Sequence, residues 1–105
     1  MAELPHLGAS LADLQAYVRQ MCDERGFSKH SVESKFVKLL EELGEFAQAA
    51  AKKAGLSVSK ERKAEIAAEA ADVFIVFLGL CDKLDIDLEA AFRDKEEKNK
   101  KRVWK

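Results

Sequence analysis

Apolar side chains recur at three- and four-residue intervals in four stretches of the chain, and no stretch shows the strict alternation of a half-buried strand. Leu11, Leu14, Tyr17, Val18 and Met21 keep the helical spacing behind Ser10, which with Asp13 three residues on has the form of a capping box. Gly26 can close that turn, so the pattern predicts a first helix over residues 11–25. Val32, Phe36, Leu39, Leu40, Leu43, Phe46, Ala47 and Ala50 mark a second over 32–54, capped by Ser31 and stopped at Gly55. Ser59 and Asp87 are placed to cap a third helix over 60–84 and a fourth over 88–102. Connections this short set neighbouring helices side by side, and the predicted architecture is an all-α, four-helix bundle forming one domain over residues 1–105.

The third stretch differs from the others. Its segment Val73 to Cys81 is apolar on every face, more than one side of a small bundle can cover, so a partner subunit is expected over the remainder as a homodimer or homotetramer. On a wheel of about 100° per residue, Glu69 falls inside the apolar sector among Ile66, Val73, Val76 and Leu80. A glutamate in that position needs a partner or a metal. Glu42 and Asp72 lie at the edges of their apolar faces, while Glu45 lies further round, where solvent is expected.

Composition narrows the possibilities. With 18 basic and 19 acidic residues the chain carries a formal charge of -1, so nothing in the whole molecule advertises a nucleic acid or a membrane surface. The apolar run Val73 to Cys81 is too short to cross a bilayer, and the start lacks the basic and apolar regions of a signal peptide, so a cytoplasmic protein is expected. Cys22 and Cys81 share no metal-ligand spacing with His6 or His30 and read as reduced thiols, Cys81 in the core.

Two acidic pairs carry the chemistry. Glu42 and Glu45 on the second helix, and Glu69 and Asp72 on the third, are each three apart and so share a helical face. Either pair alone is most simply a solvated surface. If the helices pack antiparallel, the four carboxylates converge, and a divalent cation is then needed to offset their repulsion. Magnesium suits an all-oxygen site, and manganese can replace it. No histidine follows any of these glutamates at the spacing of di-iron bundles, and no phosphate loop or nucleophile motif is present, which leaves metal-assisted attack by water. On the fourth helix Lys95, Asn99 and Arg102 share one face, as polyphosphate ligands or as a solvated end that favours the helix dipole. Lys38, four residues before Glu42, is either a phosphate contact or a helical salt bridge.

Read together, KLLEELGEF, AEAADVFIVFLGLCDKLDIDLEAAF and KEEKNKKR resemble the MazG-like all-α nucleoside triphosphate pyrophosphohydrolases, a group that includes small dCTPase-type enzymes. The likeness covers roughly residues 27–102. Glu42, Glu45, Glu69 and Asp72 match that family's Glu-x-x-Glu and Glu-x-x-Asp motifs, with Lys95 and Asn99 in its later lysine and asparagine motif and Arg102 at its usual basic position. Val103 stands where many members have tyrosine, and Glu41 and Glu65 are peripheral to the pattern. The resemblance implies a MazG fold assembled as dimers or tetramers. It also implies magnesium held by the four carboxylates, and conversion of a (deoxy)nucleoside triphosphate to monophosphate and pyrophosphate as nucleotide-pool house-cleaning. Lys38, Lys95, Asn99 and Arg102 would hold the triphosphate, and Phe27 and His30, in the loop before the second helix, are the candidates for base recognition.

The rival readings are a non-catalytic homo-oligomeric interaction module that uses the apolar third helix, and a nucleic-acid binder using the basic run near residue 100. The second is disfavoured by the short cluster and the acidic balance.

Overall fold

The computed structural model describes residues 1–51 and 59–103. Among these the regular elements are all helical: α1 (Leu11–Glu24), a 3₁₀ turn (Phe27–Lys29), α2 (Val32–Ala51), α3 (Lys60–Lys83) and α4 (Leu88–Lys100). The expected all-α, four-helix architecture is therefore observed. The stop at Gly55 lies outside the described residues.

The predicted caps are in place. Ser10 and Asp13 form a reciprocal capping box, the Asp13 amide donating to Ser10 Oγ at 3.1 Å and the Ser10 amide to Asp13 Oδ2 at 3.3 Å. Ser31, Ser59 and Asp87 accept from the amides of Ser34, Arg62 and Ala90. Gly26, at φ 77°, takes the left-handed conformation that turns the chain out of α1 and into the 3₁₀ turn.

α3 is the hub of the packing: α2 runs along it, α1 crosses it, and α4 packs against α1. The strictly sequential packing expected from short connections thus gives way to an arrangement around the most apolar helix. Val18 and Met21 of α1 and Leu78 of α3 form the buried centre, ringed by Leu14, Tyr17, Cys22 and Leu88. Cys81 is buried, as predicted. The turn between α3 and α4 is fastened by Gln15 of α1, whose side-chain amide donates to the Ile86 carbonyl (2.6 Å) and accepts from the Leu88 amide (3.1 Å). Lys83 of α3 donates to the Ser28 carbonyl at 2.8 Å, tying the 3₁₀ turn to the hub. No helix among the described residues is long and apolar enough to cross a membrane.

Candidate active site

The α2–α3 interface brings the two acidic motifs together. Carboxylate oxygens of Glu42, Glu69 and Asp72 all lie within 4.8 Å of one another. One turn or more away from them, Lys35 of α2 lines the same pocket as Val76 and Gly79 of α3, so the two helices run antiparallel.

Burial makes this more than a surface acidic patch. Glu42 is only 8% exposed, and its Oε2, like Glu69 Oε2, is shielded from solvent with no hydrogen-bond partner among the described residues. The other Glu42 oxygen, Oε1, accepts from Lys38 Nζ at 3.0 Å. Loss of water is the main cause of a raised Glu69 pKa, and the like charges of Glu45, Asp72, Glu42 and Glu65 push it further the same way. The Lys38 pKa is raised as well, first by the hydrogen bond to Glu42 and then by that carboxylate's charge, which for an ammonium group favours the charged form. Two desolvated oxygens without donors, three carboxylates with oxygens within 4.8 Å of one another and an oxygen-only donor set together fit a hard divalent cation.

Glu45 is exposed and stands outside the three-residue group, close enough to act on Glu69 electrostatically. Glu65 is held in an ion pair with Arg62 at 3.6 Å.

Beside the carboxylates, an open pocket of about 450 Å³ runs between α2, α3 and the end of α1. Lys38, Glu42 and Asp72 line it, as do Phe27 and His30. Those two rings are stacked on each other, with centroids 5.8 Å apart and planes inclined by 25°. The Lys83 anchor on the 3₁₀ turn helps hold them there.

Lys95, Asn99 and Arg102 do not line this pocket. They belong to α4 and the turn that ends it, which the fold places against α1 rather than along the α2–α3 cleft. Sequence reasoning missed Lys35, Cys22 and Arg25, which do line the pocket. Lys35 sits seven residues before Glu42 and three before Lys38, a spacing that repeats on one helical stripe and is the signal that could have found it.

The model of the phosphoribosyl-ATP pyrophosphohydrolase family matches residues 11–99, which takes in both acidic motifs, the pocket and most of α4. The chain belongs to that family. Phosphoribosyl-ATP pyrophosphohydrolases are all-α hydrolases of phosphoric anhydrides, related to the MazG-like superfamily, so the reaction class expected from the motifs agrees with the match. The match bears out the expected resemblance at the level of an all-α pyrophosphohydrolase family related to the MazG-like superfamily, without assigning the chain to the MazG-like enzymes themselves. No curated protein and no solved structure matches the chain significantly.

Proposed function

We propose that the chain is a divalent-cation-dependent pyrophosphohydrolase that converts a (deoxy)nucleoside triphosphate into the monophosphate and pyrophosphate in the cytoplasmic nucleotide pool. The observation that carries this reading is the pair of solvent-shielded oxygens, Glu42 Oε2 and Glu69 Oε2, without donors in a cluster of three carboxylates.

Glu42, Glu69 and Asp72 would hold magnesium, or manganese in its place, with Glu45 at the rim. Such an ion supplies Lewis acidity toward phosphate oxygens and acidifies a bound water. A new bond forms between water oxygen and the α-phosphorus, the α–β bridging P–O bond breaks with its electron pair leaving on pyrophosphate, and a carboxylate of the cluster takes the water's proton. Lys38, fixed by Glu42, presents its remaining ammonium donors to the triphosphate. The Phe27–His30 pair offers the base an aromatic surface.

The site of this reading is completed by a second copy, in a homodimer or homotetramer. The accessible surface is 8057 Å², against about 5,900 Å² for a compact monomer of this length. The radius of gyration is 16.2 Å, against about 13 Å. The excess area matches the face that a protomer buries in an obligate assembly. It is apolar: Phe36, Leu40 and Leu43 of α2 and Phe74 and Phe77 of α3 are all exposed. In the assembly, α4 of one copy would bring Lys95, Asn99 and Arg102 to the triphosphate in the cleft of the other.

A second reading, favoured by the family match, makes phosphoribosyl-ATP itself the substrate. Incubating the protein and magnesium with the eight common ribo- and deoxynucleoside triphosphates and with phosphoribosyl-ATP, and identifying products by mass, separates the two. Monophosphate and pyrophosphate from the common nucleotides support the first reading. Cleavage confined to phosphoribosyl-ATP establishes the second, and no cleavage of any of them leaves the non-catalytic module.

A further inference from the structure

Arg25, Lys35 and Lys38 line the pocket, and of these cations Lys38 is matched, by Glu42. Arg25 and Lys35 form no ion pair with any described residue. Their charges meet at one place: burial raises the pKa of the Cys22 thiol, and Lys35 and Arg25 both oppose the rise. The acids that add to it, Asp82 and Asp23, do not line the pocket, and Asp82 is held by Arg19.

Helix geometry sets these two cations apart from the carboxylates. Lys35 precedes Glu42 by seven residues on α2, and Gly79, whose added Cβ would lie 3.5 Å from Cys22 Sγ, follows Asp72 by seven on the antiparallel α3. Each interval is about 10 Å along its helix axis, and both run the same way, so the pocket reaches from the acidic cluster to the Cys22 end, where the unmatched cations are. The turn that carries the stacked rings of Phe27 and His30 joins Arg25 to the start of α2, so the ring pair belongs to that end too. Rings suit a planar base, and a guanidinium and an ammonium beside them with no carboxylate to neutralise them suit an anion.

We infer that Arg25 and Lys35 form a second anion subsite, separate from the metal end, that holds a phosphate carried on the nucleoside side of the substrate. The inference rests on the second reading above and deepens it. It names the residues by which the pocket would tell phosphoribosyl-ATP, whose phosphoribosyl group carries a phosphate apart from the triphosphate, from ATP. Arg25 offers a planar fork that matches phosphate oxygens, and Lys35 a point charge beside it. A common nucleoside triphosphate has no group to place there and leaves both cations to water.

The test measures, by calorimetry with magnesium present, the dissociation constants of AMP and of phosphoribosyl-AMP, the product that loss of pyrophosphate from phosphoribosyl-ATP would leave. Native protein should bind phosphoribosyl-AMP about tenfold or more tightly than AMP, the scale of a hydrogen bond to a charged group. Arg25→Gln and Lys35→Gln should each shrink that ratio and the double variant bring it close to one, while Lys35→Arg keeps most of it. Arg25 is exposed at the end of α1, so Arg25→Gln carries the test alone if melting shows Lys35→Gln to be misfolded. A native ratio near one would overturn the inference. So would a ratio that the variants leave at its native value, and equal weakening of both ligands would place Arg25 and Lys35 on the phosphate at the metal end. The reaction is scored apart, by pyrophosphate release from phosphoribosyl-ATP. A native protein that binds phosphoribosyl-AMP selectively but releases no pyrophosphate loses the second reading and keeps the subsite. One that cleaves phosphoribosyl-ATP, with its preference over ATP unchanged in the variants, keeps the reading and loses the subsite.

Discussion

Glu42 on α2 and Glu69 on α3 bring carboxylate oxygens within 4.8 Å of each other across the helix interface, and each has one shielded oxygen that meets no donor among the described residues. Two like charges so placed oppose folding unless something neutralises them, so the same pair that supplies the chemistry also weakens the metal-free protein.

That cost has a pH signature. Glu69 has a folded-state pKa above its unfolded value, so the folded protein binds the extra proton and stability falls as pH rises through the window between the two. Metal-free protein should accordingly melt lower at neutral pH than at the acid side of that window. Glu69→Gln should raise the neutral-pH melting temperature and flatten the slope. Added magnesium should stabilise the native protein and have little effect on Glu69→Gln. Thermal scans across pH with chelator or magnesium measure all three.

Lys38 joins the cluster to the pocket. Lys38→Met removes the donor to Glu42 Oε1, leaving both oxygens of that carboxylate without a described partner. The expected result is a fall in kcat/KM of about tenfold to a hundredfold, the scale of losing a contact that orients a metal ligand. The apparent magnesium affinity should shift in the same assay. A Lys38 serving only as a surface salt bridge would leave both unchanged.

Gly79 offers a check on the fold away from the carboxylates. It lies in the interior of α3, and a Cβ there would meet Cys22 Sγ at 3.5 Å and Val18 Cγ1 at 3.7 Å, ordinary contact distances. Because glycine within a helix costs about 0.5–1 kcal/mol relative to alanine, Gly79→Ala should stabilise the protein by up to that amount in denaturant melts. Gln15→Ala should do the reverse. It removes both hydrogen bonds to the α3–α4 turn and should cost about 1–3 kcal/mol.

The proposed assembly makes a prediction that separate subunits cannot satisfy. Lys95→Ala and Glu69→Gln should each be nearly inactive alone, and mixing them under exchange conditions should restore part of the activity, because one cleft then has intact carboxylates and an intact α4. Phe74→Asp should reduce the sedimenting species to a monomer and abolish activity together with it. A native protein that sediments as a monomer at micromolar concentration would refute the assembly.

The helix boundaries, their caps and the acidic motifs were legible because each depends on residues close in sequence: Ser10 with Asp13, Ser59 with Arg62, Glu69 with Asp72. The wheel likewise marked Glu69 as misplaced for a solvent face. It underestimated Glu42, which it set at the edge of the apolar face and which packing covers almost completely. The choice of α3 as hub, the position of α4 against α1 and the burial of Lys35 depend on how helices cross, which periodicity along one helix does not encode. For the same reason Lys95 and Asn99 read as neighbours of the carboxylates in sequence logic and lie apart from their pocket within one chain.

The most direct test of the account is pyrophosphate release by the native protein, Glu42→Gln and Glu69→Gln, with magnesium and with chelator, each variant first shown to be folded. The account predicts release by the native protein only with magnesium, and a loss of at least about a hundredfold in both variants, the scale of removing one preorganised electrostatic contact from a reaction centre. Release that persists in chelator, or that survives in either variant at the native rate, would contradict it.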